Sequence, residues 1–128
     1  VPEVHIVGHG IDLVETERIA RMLADHPERF LERCFTPREI EDSEGVRRFE
    51  HLAARFAAKE AALKAIGTGW ARGIGWTDVE TVRHESGRPE LRVHGKAAEI
   101  AAELGITRWH VSLTHTATFA AASVIAEA

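Results

Sequence analysis

An α+β fold is what this chain predicts, with helices gathered in the first half and mostly antiparallel strands in the second. Three observations carry that expectation. Apolar residues recur at helical spacing as far as Ile66. The longest such stretch is rich in alanine: seven of the thirteen residues from Ala53 to Ala65. Beyond the glycine-rich "GTGWARGIG" the period shortens toward two, and turn residues separate the runs. With 128 residues the chain suits one domain with a real core, taken as residues 1–128.

The elements follow in order. Residues 4–14, "VHIVGHGIDLV", are apolar and β-branched with two glycines, and predict a strand that bends near Gly8 and Gly10. Thr16 is placed to cap the helix "TERIARMLAD", whose buried stripe is Ile19, Met22 and Leu23, with Arg18, Arg21 and Asp25 on another face. Pro27 opens the short helical piece "PERFLERC". "TPRE" is a helix start, with Thr36 as cap, Pro37 at the first position and Glu39 reaching back. The long helix runs from about Arg47 to Ile66, and "GTG" at 67–69 stops it. "TDVETVRH" alternates like a strand, "ESGRP" is a turn, and "ELRVHG" returns as a second strand. "KAAEIAAEL" is a short helix ended by Gly105. "RWHVSLTH" and "TFAAASVIAEA" are strands, the second expected less strongly because alanine is a poor strand former.

The bulk numbers exclude some classes. Charged residues make up 28% and hydrophobic ones 45%, an ordinary soluble composition. The net charge of −4 argues against general binding to nucleic acid or to an anionic membrane, though a local basic face is compatible with it. Cys34 is the sole cysteine, so no internal disulfide forms, which fits a reducing compartment. The start "VPEVHIVGHG" has no long apolar run and reads as neither a signal peptide nor a spanning helix. The expected location is the cytoplasm.

Four features bear on chemistry. Glu60 and Lys64 lie four apart on the alanine-rich helix, on the face that carries Phe56. One reading is a surface ion pair in the favoured order, worth about 0.2–0.5 kcal/mol. The other is a carboxylate held near packed structure, since the flanking alanines admit a close neighbour; such a carboxylate needs a partner, and a hard cation is one. Asp12 in "GIDLV" is unexpected inside an apolar run. It either caps a turn at a strand end or supplies a second carboxylate for Mg²⁺, an ion that prefers oxygen ligands and rarely has an all-protein cage. In "WHVSLTHT", His110, Ser112 and Thr114 share one strand face and His115 follows at the end. This is a solvated sheet face or a polar strand end that binds a ligand phosphate. Zinc-like spacing and a nucleophile elbow are both missing. "GTGWARGIG" lacks the ending of a Walker loop and follows a helix.

In their chain order, "GIDLVETERI", "RFAAKEAALKAIGTG" and "HVSLTHT" resemble the holo-acyl-carrier-protein synthases, the short single-domain phosphopantetheinyl transferases. The resemblance spans essentially the whole chain. It implies a long central helix packed on a mostly antiparallel sheet. It implies transfer of 4′-phosphopantetheine from coenzyme A to a serine of an apo acyl carrier protein, with Mg²⁺ and release of adenosine 3′,5′-bisphosphate. By motif position Asp12 and Glu60 resemble the metal ligands, and Lys64 the lysine facing the phosphates. Gly67, Thr68, Gly69 and His115 are expected at coenzyme A. The base is Glu60 or a metal-bound water. Arg18, with Arg21 three residues on, resembles the carrier-docking helix, against a plainer reading in which both pair with Glu15, Glu17 or Asp25. The family also implies a homotrimer with sites between subunits, to which the apolar "TFAAASVIAEA" would contribute. A non-catalytic coenzyme A or nucleotide sensor and a metal-dependent phosphohydrolase stand as alternatives.

Overall fold

A computed structural model describes residues 3–128; Val1 and Pro2, the first residues of the segment read above for a leader, lie outside it. The elements run β1 (Ile6–Glu15), α1 (Thr16–Asp25), α2 (Pro27–Cys34), α3 (Pro37–Ser43), α4 (Arg48–Ile66), a 3₁₀ turn (Trp76–Asp78), β2 (Val79–Arg83), β3 (Pro89–Val93), α5 (Gly95–Glu103), β4 (Arg108–His115) and β5 (Phe119–Glu127). β1, β5 and β4 form an antiparallel sheet in that order, and β2 and β3 form a separate hairpin. The expected α+β class and the long central helix are both present. No described helix is long and apolar enough to cross a membrane.

The core lies where α4 rests on the three-stranded sheet. β5 is the middle strand, paired to β1 through Asp12↔Ala122 and to β4 through Leu113↔Ala122. Its Ala120, Ala122, Val124 and Ala126 are buried toward α4. Alanine is unsuited to strands by propensity, but here small side chains on both layers let the helix come close. The segment "TFAAASVIAEA" is therefore an internal strand, and only its other face is open to a contact.

β1 makes the closest approach. A Cβ on Gly10 would stand 1.8 Å from Ala61 O, and one on Gly8 1.8 Å from Ala65 O. Both glycines are required by this approach, and the expected bend appears as a register shift between Ile6 and Gly8. α4 ends at Gly67, whose φ of 74° is the left-handed conformation that glycine tolerates best.

Two local expectations are corrected. Thr16 does not cap α1, since Glu15 precedes the helix without a side-chain cap. The Thr16 hydroxyl instead donates to Ala117 O at 2.6 Å, tying the helix start to the β4–β5 turn. β2 does not alternate: Val79, Glu80, Thr81 and Val82 are all buried. The capping box at Thr36 is formed as expected, and Glu39 then does more than cap. Its carboxylate accepts from Thr36 N, from Thr81 N and, at 2.7 Å, from the buried Lys59 Nζ. Lys59 also donates to Trp76 O and Val79 O, so all three ammonium protons are used. This ion pair joins α3, α4, the 3₁₀ turn and β2 at one point.

Candidate active site

β1 and the last turns of α4 bring two of the predicted residues, Asp12 and Lys64, into contact, while Glu60 lies one turn before Lys64 on the helix. Asp12 lies within β1, one position beyond Ile11 on the strand that the glycines press against α4. Lys64 Nζ donates to Asp12 Oδ1 at 3.2 Å and to Ile11 O at 2.9 Å. The reading of Asp12 as a strand-end turn cap is excluded by its place inside β1. The surface pair between Glu60 and Lys64 is not formed either: among the described residues Lys64 bonds Asp12, and Glu60 Oε1 accepts from Trp70 Nε1 at 3.2 Å. Asp12 is 19% and Lys64 55% exposed at the side chain, so the lysine is free to turn while the carboxylate is held.

The donor set fits Mg²⁺. Asp12 Oδ2 and Glu60 Oε2 carry no hydrogen bond among the described residues, so each carboxylate keeps one oxygen available. No group of three or more His, Cys, Asp or Glu side chains is poised to hold a metal among those residues. Hard carboxylate oxygens, completed by phosphate oxygens and water, are what this small ion uses. Three residues after Lys64 begins the turn Gly67–Thr68–Gly69, where Gly69 is also left-handed at φ 57°.

His115 stands elsewhere. Its Nδ1 is 2.7 Å from Glu50 Oε1, and its ring meets His51 edge-on at 5.3 Å between centroids, both at the start of α4. A cavity of about 180 Å³ opens there, lined by His51, Arg55, Arg83, Leu113 and His115 among others. Arg55 Nε and His51 Nδ1 are buried there with no hydrogen-bond partner. Burial, then the neighbouring Arg55 and His115 charges, holds the His51 imidazole below its ordinary pKa. Burial likewise lowers Arg55, against the pull of Glu39 and Asp42. A buried guanidinium N–H without a partner, as at Arg55 Nε, is suited to an anion. His51, Arg55 and Arg83 escaped the sequence reading because only the fold joins α4 to the β2–β3 hairpin and β4.

Arg18 and Arg21 are exposed on α1, and neither forms an ion pair among the described residues, which removes the plainer pairing with Glu15, Glu17 or Asp25. Arg18 lies 5.2 Å over the Phe56 ring. It borders a groove of about 370 Å³ with Arg29, Arg33, Phe30 and Trp76, whereas Arg21 borders the adjoining one with Leu13 and Phe119. Arg29 and Arg33 on α2 were not singled out by sequence, because their convergence with Arg18 depends on how α1 and α2 fold together.

The known proteins now decide the family. A profile of the 4′-phosphopantetheinyl transferase superfamily matches residues 8–122. The holo-[acyl-carrier-protein] synthase of Koribacter versatilis is 50% identical over 123 residues, covering 95% of this chain and 98% of the relative. The chain belongs to the holo-[acyl-carrier-protein] synthases of this superfamily. The crystal structure of the Neisseria meningitidis synthase is 32% identical and superposes with a TM-score of 0.84, covering 95% of this chain and 98% of the other. A Bacillus anthracis synthase in complex with coenzyme A (3′,5′-ADP) is 36% identical with a TM-score of 0.77, covering 96% and 97%. The resemblance read from the three motifs is thereby established, together with the α+β fold.

Proposed function

We propose that this chain transfers 4′-phosphopantetheine from coenzyme A to a serine of an apo acyl carrier protein in the cytoplasm, with Mg²⁺, releasing adenosine 3′,5′-bisphosphate. The observation that carries the reading is the contact of Asp12 with Lys64, one helical turn beyond Glu60, in a chain of this family. The serine oxygen attacks the phosphorus that bears the pantetheine arm. A new oxygen–phosphorus bond forms, the bridging bond of the pyrophosphate breaks, and its electron pair leaves on the bisphosphate. Asp12 and Glu60 would hold Mg²⁺, which neutralises pyrophosphate charge when bound. Lys64, exposed and on a flexible stem, turns from Asp12 to the departing phosphate. Glu60 is the base the chain itself offers for the serine proton. The Gly67, Thr68 and Gly69 backbone borders the phosphates.

His115 and its cavity supply a second anion site, suited to another phosphate of coenzyme A on a neighbouring subunit. A homotrimer is supported by the open sheet face, where Ile11, Leu13 and Phe119 are 63%, 65% and 45% exposed. Arg18 and Arg21 would meet the acidic carrier, and Arg29 and Arg33 extend that basic edge.

One assay separates the readings. The purified chain is mixed with coenzyme A, Mg²⁺ and apo carrier protein. Mass gain on the carrier is the expected result, and it should vanish in Asp12→Ala. Bisphosphate without mass gain identifies a phosphohydrolase, and neither product identifies a binding module.

A further inference from the structure

Trp70 occupies a place that neither the family motifs nor the composition explains. It lies in the loop of residues 67–75, which leaves α4 in left-handed backbone at Gly67, Gly69, Arg72 and Gly73. Arg72, with φ 63°, is the one non-glycine among the described residues in that conformation. Such a loop needs side-chain anchors. The Trp70 ring packs against Trp76 with centroids 3.8 Å apart, and Trp76 stacks on the buried Phe56 at 4.9 Å. Trp76 is itself tied down, because its carbonyl accepts from the buried Lys59 Nζ at 3.1 Å. The indole is thus mounted on the core, and its Nε1 donates to Glu60 Oε1 at 3.2 Å.

We infer that Trp70 is a positioning residue for Glu60: its indole N–H holds Oε1 and leaves Oε2 as the oxygen open to metal and substrate. The inference rests on the reading that Glu60 acts in the transfer. A glutamate on a helix surface otherwise samples several rotamers. Lys64, one turn on, does not restrain it, being bonded to Asp12. The arrangement also couples the loop beside Lys64 to the carboxylate. A ligand that moves the 67–69 turn pulls on Trp70, and through it on Glu60.

The protein has three tryptophans, so a ¹⁵N-labelled sample gives three indole N–H resonances, and Trp70→Phe identifies the one it removes. Glu60→Ala should shift the Trp70 resonance and leave that of Trp109 in place. Trp70→Phe keeps an aromatic ring against Trp76 but lacks the donor. Its half-saturating Mg²⁺ in the transfer assay, run well below the variant's melting point, should rise roughly tenfold, the size of one hydrogen bond to a charged acceptor. A purely structural role would lower the melting temperature and spare the Mg²⁺ dependence. An unmoved Trp70 resonance in Glu60→Ala, or wild-type Mg²⁺ dependence in Trp70→Phe, overturns the inference. If the wild-type chain transfers nothing, the proposed function fails instead, and the resonance test still reads the contact.

Discussion

Adding a single methyl group at Gly10 should damage both the fold and the reaction. In Gly10→Ala the new Cβ would sit 1.8 Å from Ala61 O, where real contacts essentially never fall below 3.0 Å. The obstacle is backbone, so no side-chain rotation relieves it. β1 and α4 must separate by about 1 Å at this point, opening the packing of Ala61 and its neighbours against the strand. Overpacking of this kind costs about 1–3 kcal/mol, and a rigid backbone obstacle belongs at the upper end. For a chain of this size that is a fall in melting temperature on the order of 10 °C. The same separation carries Asp12, two residues along β1, away from Glu60 and Lys64 on α4. A misplacement of about 1 Å at a reacting centre can cost about 100-fold in rate. Differential scanning fluorimetry and the carrier mass-gain assay, run below the variant's melting point, read the two effects separately. A variant that melts within about 2 °C of the parent and turns over within about twofold of it would refute the reasoning.

Lys59→Ala should destabilise by about 3–5 kcal/mol, since it leaves Glu39 charged and buried without its partner, while Lys59→Met with Glu39→Gln recovers part of the loss; urea melts of both decide it. His51 gives a pH signature. Its folded-state pKa is depressed by burial, so the unfolded chain binds the proton more readily. The stability it confers is present above the ordinary histidine value of about 6.5 and is lost as pH falls below it. Thermal melts from pH 8 down to about 5 should show that decline, and His51→Gln should flatten it. Arg18→Glu should raise the KM for the carrier and weaken the salt dependence of transfer without altering coenzyme A binding, and steady-state kinetics at two salt concentrations provide the check. Co-expressed Lys64→Ala and His115→Ala chains should regain about a quarter of wild-type activity if each site takes Lys64 from one subunit and His115 from the next; mixtures no more active than either variant would place the site within one subunit.

Much of this was legible because local chemistry and tertiary structure agree. Thr36, Pro37 and Glu39 announce a helix start, and the start is there. The alanines from Ala53 to Ala65 announce close packing, and Gly8 and Gly10 are what they pack against. Thr16 misled because a hydroxyl before a helix has two uses, and a carbonyl across the fold at Ala117 won it. Lys59 was overlooked because a lysine beside a glutamate reads as surface. Its burial follows from Glu39, twenty residues earlier, and from carbonyls of the 3₁₀ turn and β2 that no periodicity joins to it. The cationic cavity beside His115 was hidden for the same reason: α4, the β2–β3 hairpin and β4 meet there only in three dimensions.

The length of α4 carries one more consequence. Glu50, which holds His115, lies in its first turn, and Lys64 lies in its last. At 1.5 Å per residue the two positions are about 20 Å apart along the axis. The helix is unbroken from Arg48 to Ile66 and contains neither proline nor glycine, the usual causes of a sharp kink. The phosphates of one coenzyme A molecule are linked through a single ribose and cannot bridge such a distance. If both clusters serve one substrate, they must come from different chains. The face that could join them is already apolar: Ile11 and Leu13 on β1 point away from α4, beside Phe119, Ala121 and Ile125 of β5. Asp12, the next residue after Ile11, points the other way, toward the helix. A contact through the outer face of β1 therefore brings a neighbouring chain to the strand that carries Asp12, without covering the carboxylate itself.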